Sequence, residues 1–204
     1  MLEKLIVFVE EYSMEVALEH LLPKMLGDTD YEIRRFQCKD DLLLRLPERL
    51  SGYAAWLPDT WSIVVLVDLD DDDCVALKQQ LEAVVAKSGL RSKTVSGTGR
   101  RFQVANRIAI EELEAWFFGD WTAVRAAYPR VSPTVPNKAG FRDPDAISGG
   151  TWEALERLLK RAGYFSTGLR KLELARAVAQ HMEPVRNRSR SFQSFRESVA
   201  VAMA

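Results

Sequence analysis

The sequence predicts an α/β fold in which a mostly parallel central sheet carries helices on both faces. Two continuous apolar runs, residues 5–9 and 62–67, are typical of strands that are buried on both sides. The segments between and after these runs have helical periodicity, so strands and helices alternate up to about residue 119. Beyond about residue 121 the patterns are only helical, and we expect that part to pack on the sheet core.

Capping residues and prolines set the expected helix limits in the first half of the chain. Ser13 is a candidate N-cap for the first helix, and Asp73, which ends an aspartate run, can cap the third. Proline lacks an amide hydrogen, so we expect Pro23 to kink or restart its helix and Pro47 to start a second helical segment. The predicted elements are a strand over 5–9, a helix over 14–26, a strand over 31–36, a helix over 40–56, a strand over 62–67 and a helix over 74–87.

The second half begins with two more strand candidates around the turn Gly97-Thr98-Gly99. Residues 128–150 contain four prolines and predict a long loop. We therefore divide the chain into an α/β core over residues 1–120 and a helical C-terminal extension over 121–204. The predicted elements are strands over 91–98 and 102–110, then helices over 111–118, 152–162, 172–181 and 192–203.

Composition excludes several classes of protein. The chain has 204 residues, of which 47% are hydrophobic, enough to bury a sizeable core. Its two cysteines, Cys38 and Cys74, form no CxxC pair and are too few for a disulfide scaffold. The first apolar run is interrupted by Glu10 and Glu11, which is unlike a signal peptide, and no run is long enough to cross a bilayer. We expect a cytoplasmic protein without membrane partners.

The net charge of −1 conceals a difference between the two parts of the chain. Residues 1–120 contain 14 Lys and Arg against 22 Asp and Glu, a net charge of −8. Residues 121–204 contain 14 Lys and Arg against 7 Asp and Glu, a net charge of +7. A metal-binding part beside a phosphate-binding part would have this pattern, and so would two ordinary surfaces packed on each other.

Acidic side chains follow both apolar strands at their carboxyl ends. Glu10 comes directly after the first, and Asp68 and Asp70 come after the second. Ligands of parallel α/β sheets bind at this edge, and converging carboxylates are stabilised by a hard cation such as Mg²⁺ or Mn²⁺. Asp68 and Asp70 would face the same ion only if the turn stays extended. The alternative is a solvated turn whose aspartates only cap a helix.

Two other groups of residues are candidates for binding. Glu114 is a further possible metal ligand, although the dipole of the helix that starts nearby would favour an acid there without any metal. Basic residues in the C-terminal part suit phosphate oxygens; they are Lys171, Arg186, Arg188 and Arg190. The alternative is a solvated segment before the last helix, with Ser191 or Ser194 as its cap.

Taken together, these residues resemble the Toprim domain of topoisomerases, primases and overcoming-lysogenization-defect nucleases, and most closely the Toprim-like domain of unknown function 4276 family. Toprim domains have glutamate after the first strand and Asp-x-Asp after a later one. They usually follow the glutamate with glycine, where this sequence has Glu11. The resemblance spans nearly the whole chain and lies in Val9-Glu10, Val67-Asp68-Leu69-Asp70 with Asp73-Cys74, residues 110–120, Asp143-Pro144-Asp145, Tyr164 with Lys171, and Ser189-Arg190-Ser191-Phe192.

The resemblance implies a function and roles for the acidic residues. Glu10 would be the general acid or base, and Asp68 and Asp70 would be magnesium ligands. The leading hypothesis is a magnesium-dependent phosphodiesterase that acts on nucleic acid, as part of a defence-type system. The alternatives are a non-catalytic Toprim-like subunit of a separately encoded ATPase and a plain nucleotide- or metal-binding regulator.

Overall fold

The central sheet has four parallel strands, in a computed structural model that describes residues 1–97 and 99–204. In chain order the strands are β1 (Lys4–Val9), β2 (Asp30–Arg35), β3 (Trp61–Asp68) and β4 (Val104–Ala109). Their order in the sheet is β2-β1-β3-β4, and every neighbouring pair is parallel. The α/β prediction with a parallel sheet is therefore confirmed.

Helices occupy both faces of this sheet. Their bounds are α1 (Tyr12–Leu26), α2 (Lys39–Ala54), α3 (Cys74–Ser88), α4 (Lys93–Ser96), α5 (Leu113–Gly119), α6 (Trp121–Ala127), α7 (Thr151–Arg161), α8 (Lys171–Ala179) and α9 (Arg190–Met203). The predicted loop over 128–150 contains three single turns of 3₁₀ helix, at Val135–Asn137, Ala139–Phe141 and Pro144–Ala146.

Alternate side chains of β1 and β3 belong to two separate hydrophobic cores. Leu5 and Val7 of β1 join the core that contains α1, α5, α8 and α9. Ile6 and Phe8 point the other way and pack with α2 and α3. This alternation is the period-two geometry of a strand with both faces covered, and it explains why β1 and β3 contain continuous apolar runs.

The C-terminal helices pack on the sheet rather than forming a separate core. Helix α8 lies against α1, and α9 contacts both α1 and β4. Their buried residues belong to the same hydrophobic cluster as those of β1 and α1. The division at residue 120 itself stays a prediction. Within the described residues, no helix combines the length and the apolar character needed to span a bilayer.

The predicted restart of a helix at Pro23 and at Pro47 is wrong, while the alternative of a kink at Pro23 stays a prediction. Helix α1 continues through Pro23, and α2 continues through Pro47. In α2 the residues Leu42, Leu46 and Leu50 form one fully buried stripe on both sides of the proline. Burying such a stripe stabilises the helix by more than the one amide hydrogen bond that proline removes.

Two local predictions near strand ends are also wrong. Ser13 lies inside α1, whose N-cap is Glu11, and the Ser13 hydroxyl donates a hydrogen bond to the Glu11 carboxylate. Residues 91–97 do not form the predicted strand: Ser92 makes one bridge to Val104, and its hydroxyl caps the short helix α4 by accepting a hydrogen bond from the amide of Val95. A serine hydroxyl that accepts a hydrogen bond from an amide three residues later favours the start of a helix over a strand. Thr98 lies outside the described residues.

Candidate functional site

The strand order places a natural binding position between β1 and β3. The chain passes from β1 to β2 on one side and returns to β3 on the other, so the connections leave in opposite directions at this point. In open α/β sheets a crevice forms there, outside the carboxyl ends of the two strands. Glu10 directly follows β1 and Asp68 ends β3, so both candidate residues lie at this crevice.

Glu10 and Asp68 are in direct contact. The backbone amide of Asp68 donates a hydrogen bond of 2.8 Å to Oε1 of Glu10. Both residues are buried, with 5% and 4% of their surfaces exposed. Within the described part of the chain, Oε2 of Glu10 and Oδ1 of Asp68 are buried without a hydrogen-bond partner. Two adjacent carboxylates therefore each present an unsatisfied oxygen, which is costly unless a proton or a cation binds there.

Burial also changes the acidity of these groups. Desolvation raises the pKa of Glu10 from 4.5 to about 7, although the hydrogen bond from the Asp68 amide opposes the change. Burial raises the pKa of Asp68 well above its usual range, and the charge of Glu10 adds to this effect. Near neutral pH, the pair holds a proton unless a positive ion stabilises both charges.

Glu114 is a third buried carboxyl group close to this pair. It lies in the first turn of α5 with 2% of its surface exposed. Burial raises its pKa to about 8, while the positive charge of Lys171 lowers it. The charge of Glu114 also raises the pKa of Asp68, which places the two groups within electrostatic range. The helix dipole stabilises only the charged form of an acid. Because burial favours the neutral form of Glu114, the dipole alone is a weaker explanation for an acid at this position.

Asp70 lies near the buried pair, where its charge raises the pKa of Glu10, but its carboxylate is paired with a lysine. Its backbone φ is +49°, in the left-handed region, so the turn after Asp68 does not stay extended. Its carboxylate makes an ion pair of 2.6 Å with Nζ of Lys39, and Asp72 pairs with the same nitrogen at 2.9 Å. Asp70 as a metal ligand stays a prediction, but the extended turn that favoured it is absent.

Lys39 is a functional candidate that the sequence reasoning missed. It follows β2 by four residues and reaches the crevice from the first turn of α2. Besides Asp70 and Asp72, its ammonium group contacts the backbone oxygen of Leu69 at 3.1 Å, and its charge lowers the pKa of Glu10. The only signal in the sequence was its position just after the predicted strand 31–36, and this did not show that the strand lies beside the one that ends at Glu10.

Lys171 brings a second cation to the crevice from the C-terminal part. Its Nζ lies 3.9 Å from a carboxylate oxygen of Glu11 and over the ring of Trp152. Lys171 and Lys39 both line an open cleft of about 370 Å³ together with the buried acidic pair; its other acidic and polar walls are Glu11, Gln37, Asp40, Asp70 and Asp72. We call this cavity the acidic cleft. Its mixture of buried acids and flanking lysines suits a cation together with a phosphate group.

The cleft suits a cation that keeps some of its bound waters better than a metal ion that is bound only by protein side chains. In the described residues, no group of three or more His, Cys, Asp or Glu side chains has a geometry that could hold a metal ion. Mg²⁺ does not require such a group, because it usually keeps several waters and binds through one or two carboxylates plus substrate phosphates. The unpartnered oxygens of Glu10 and Asp68 could supply these two carboxylate ligands.

The predicted phosphate-binding residue Arg186 is already engaged. Its guanidinium donates two hydrogen bonds, of 2.8 and 2.9 Å, to the carboxylate of Asp120. That carboxylate also accepts from the amides of Glu183 and Ala123. The pair joins the end of α5 to the segment before α9, so Arg186 has a structural contact that the sequence did not reveal.

The segment Ser189-Arg190-Ser191 holds a carboxylate of the protein itself. Asp145 accepts hydrogen bonds from the hydroxyls of Ser189 and Ser191 and from the amides of Arg190 and Ser191, at 2.6 to 3.1 Å. Ser189 is the N-cap of α9, and the predicted caps Ser191 and Ser194 are wrong. Here the helix N-terminus that suits an anion is filled by Asp145. The side chains of Arg188 and Arg190 remain exposed.

The raised pKa values of Glu10 and Glu114 predict how the stability of the metal-free protein depends on pH. The folded state holds the Glu10 proton up to about pH 7, whereas the unfolded chain releases it near 4.5. Between these values the unfolded state binds fewer protons, so the free energy of unfolding decreases as pH rises. Glu114 extends the same trend to about pH 8.

We expect Glu10→Gln to reduce this loss of stability by on the order of 2–3 kcal/mol. Thermal unfolding in EDTA from pH 4.5 to 8 measures the effect, with Glu48→Gln on the exposed face of α2 as the matched control. Parallel pH profiles for wild type and Glu10→Gln would contradict the prediction.

Comparison with known proteins gives one finding. The family model for a domain of unknown function (DUF4276) matches residues 9–200. No curated protein matches the sequence, and no solved structure matches the fold. The matched range contains the crevice, the ends of β1 and β3 that border it and the segments that anchor α9. The chain therefore belongs to the domain of unknown function 4276 family.

Proposed function

We propose that this protein is a Toprim-like, Mg²⁺-dependent phosphodiesterase that acts on nucleic acid. The observation that carries the proposal is the contact between Glu10 and Asp68 at the β1–β3 crevice, with one unpartnered buried oxygen on each side chain. A buried acidic pair with perturbed pKa values, open to a cleft, is typical of a functional site. The lysines at its rim supply the positive charge that a phosphodiester needs.

Each residue of the cleft has a separate role in the proposed reaction. Mg²⁺ or Mn²⁺, when bound, would neutralise charge on the phosphate and favour the attack of water. Asp68 and Glu10 would hold the ion, and Glu10 lies where a carboxylate beside the ion could exchange a proton with the attacking water. Lys39 and Lys171 would contact phosphate oxygens. Asp70 and Glu114 stay predicted ligands, which would join through waters or after a side-chain movement.

Glu11 does not impose a steric obstacle at the position where Toprim domains usually have glycine. Its φ is −137° and its ψ is 167°, an extended conformation that any residue adopts. Its carboxylate faces Ser13 and Lys171. The departure from the usual pattern therefore adds a charge at the rim of the cleft without straining the turn.

The proposal is tested by incubating the purified protein with supercoiled, linear and single-stranded DNA and with single-stranded RNA. We expect slow cleavage that requires a divalent cation, is faster with Mn²⁺ than with Mg²⁺, and stops in EDTA. Absence of cleavage in every combination, together with no nucleic-acid binding at low salt, would end the proposal. The ATPase-subunit alternative would then be tested by co-purification with proteins encoded beside its own gene.

Asp68→Asn is expected to weaken Mn²⁺ binding by at least about tenfold, because the neutral amide removes one of two buried anionic oxygens. Asp72→Asn should have a smaller effect, since Asp72 is half exposed and already paired with Lys39. Isothermal titration calorimetry compares the two variants with Asp28→Asn, which changes an exposed residue outside the cleft. Equal losses for Asp68→Asn and Asp72→Asn would indicate diffuse attraction by the aspartate run instead of a defined site.

A further inference from the structure

A second cavity, which we call the arginine pocket, adjoins the acidic cleft. It has a volume of about 410 Å³ and lies at the open edge of the sheet, between β2 and α2. Its polar lining consists of Arg34, Arg35, Gln37, Asp41, Arg45 and Arg49. The lining thus contains four guanidinium groups against one carboxylate, within the part of the chain whose net charge is −8.

The pocket follows from the periodicities of its two elements. Asp41, Arg45, Arg49 and Tyr53 are spaced four residues apart on α2, so they form one stripe beside the buried leucines. On β2, Arg34 pairs in register with Phe8 and therefore points to the same face of the sheet as α2. Two neighbouring elements thus direct arginines into one cavity.

The ion pairs of these arginines leave them available to a phosphate. Arg45 pairs with Asp41 at 2.6 Å, and Arg34 pairs with Glu32, but both arginine side chains are more than half exposed. Arg35 is different, because it pairs with Glu15 of α1 at 2.8 Å on the other face of β2, so it is not counted among the available groups. Exposed pairs of this kind contribute little and exchange readily for a doubly charged or bidentate anion. Within the described residues, Arg49 has no carboxylate within ion-pair distance.

The arginine pocket leads directly into the acidic cleft. Gln37 lines both cavities. Arg35 is the register partner of Val9, the residue that precedes Glu10, and neighbouring strands lie only about 4.8 Å apart. A chain of phosphates that contacts the arginines can therefore continue past Gln37 toward Lys39 and the acidic pair.

We propose that the arginine pocket binds the phosphate backbone of a single nucleic-acid strand and directs it into the acidic cleft. The guanidiniums of Arg34, Arg45 and Arg49 lie along α2 and β2, an arrangement that suits a linear polyanion better than a single enclosed phosphate. The aromatic residues that line the pocket are the buried Phe8 and Phe36 and the partly buried Tyr53. The arginine contacts are to the phosphate backbone and are therefore independent of base sequence. This inference rests on the proposed function, because the strand is assigned as the substrate of the cleft.

The test is binding of a fluorescent single-stranded oligonucleotide by the full chain in EDTA, where no cleavage can interfere. Arg45→Gln with Arg49→Gln should weaken binding at least about tenfold and reduce the salt slope by about 1.4, since each lost phosphate contact accounts for about 0.7. Arg125→Gln with Arg157→Gln removes the same charge from exposed positions on α6 and α7 and should change affinity less than about twofold. Arg49→Gln alone, which breaks no ion pair in the described residues, should give an intermediate loss and guards against misfolding.

Three results would overturn the inference. One is equal weakening by the pocket and control pairs, and another is a greater loss with Arg188→Gln and Arg190→Gln, which would place the strand on the C-terminal segment. The third is that AMP displaces the fluorescent oligonucleotide as effectively as unlabelled oligonucleotide does at the same phosphate concentration, which would indicate a mononucleotide site. If the oligonucleotide binds through the pocket but is never cleaved with Mn²⁺, the binding inference stands and the phosphodiesterase proposal fails.

Discussion

Glu10→Gln is expected to reduce metal-dependent cleavage at least about 100-fold, the usual contribution of a general acid or base. Glutamine retains an oxygen that can accept the hydrogen bond from the Asp68 amide, so the local fold should persist. It cannot carry a negative charge or transfer a proton. Cleavage rates with Mn²⁺, compared with those of Glu48→Gln on the exposed face of α2, measure the loss.

The metal affinity of the same variant separates two roles for Glu10. If cleavage is lost while Mn²⁺ binds nearly as in the wild type, Glu10 acts on a proton. If both are lost, it acts mainly as a ligand beside Asp68. Cleavage at the wild-type rate would contradict both roles and would remove Glu10 from the proposed site, whatever the outcome for Asp68→Asn.

Asp120→Ala is expected to decrease the free energy of unfolding by about 2–4 kcal/mol. The Asp120 side chain is 1% exposed and accepts four hydrogen bonds, two from Arg186 and one each from the amides of Glu183 and Ala123. Removing one partner of a buried ion pair costs about 3–5 kcal/mol, and we reduce this figure because Arg186 is 41% exposed. In a chain of this length the melting temperature should fall by roughly 5–15 °C.

The control for this prediction is Asp28→Ala, which changes an exposed aspartate in the turn after α1. The double variant with Arg186→Ala should be less destabilised than the sum of the two single variants, because the residues share one interaction. Additive losses would contradict the structural pairing. Since Arg186 acts through Asp120, Arg186→Ala should weaken nucleic-acid binding no more than it lowers the fraction of folded protein.

The sequence by itself determined the α/β fold and the central pair of the candidate site. Apolar runs that end in Glu10 and Asp68 predict two buried parallel strands, and parallel strands bring their carboxyl ends to one edge. Both inferences use local patterns and a general rule of topology. The same patterns placed most helices within a few residues of their observed limits.

Only the tertiary structure decided which residues surround that pair. The left-handed backbone of Asp70 depends on how the turn packs, and its carboxylate pairs with Lys39. Lys39 and the arginine pocket reach the cleft because β2 lies next to β1 at the edge of the sheet, an order that no local pattern encodes.

The C-terminal basic segment gives the clearest example of this limit. Its sequence suits phosphate, yet Asp120 binds Arg186 and Asp145 fills the N-terminus of α9. These partners are 66 and 44 residues away along the chain. A carboxylate and a phosphate satisfy the same donors, so composition predicts that an anion will bind there, and only the folded chain decides whether that anion is the protein's own.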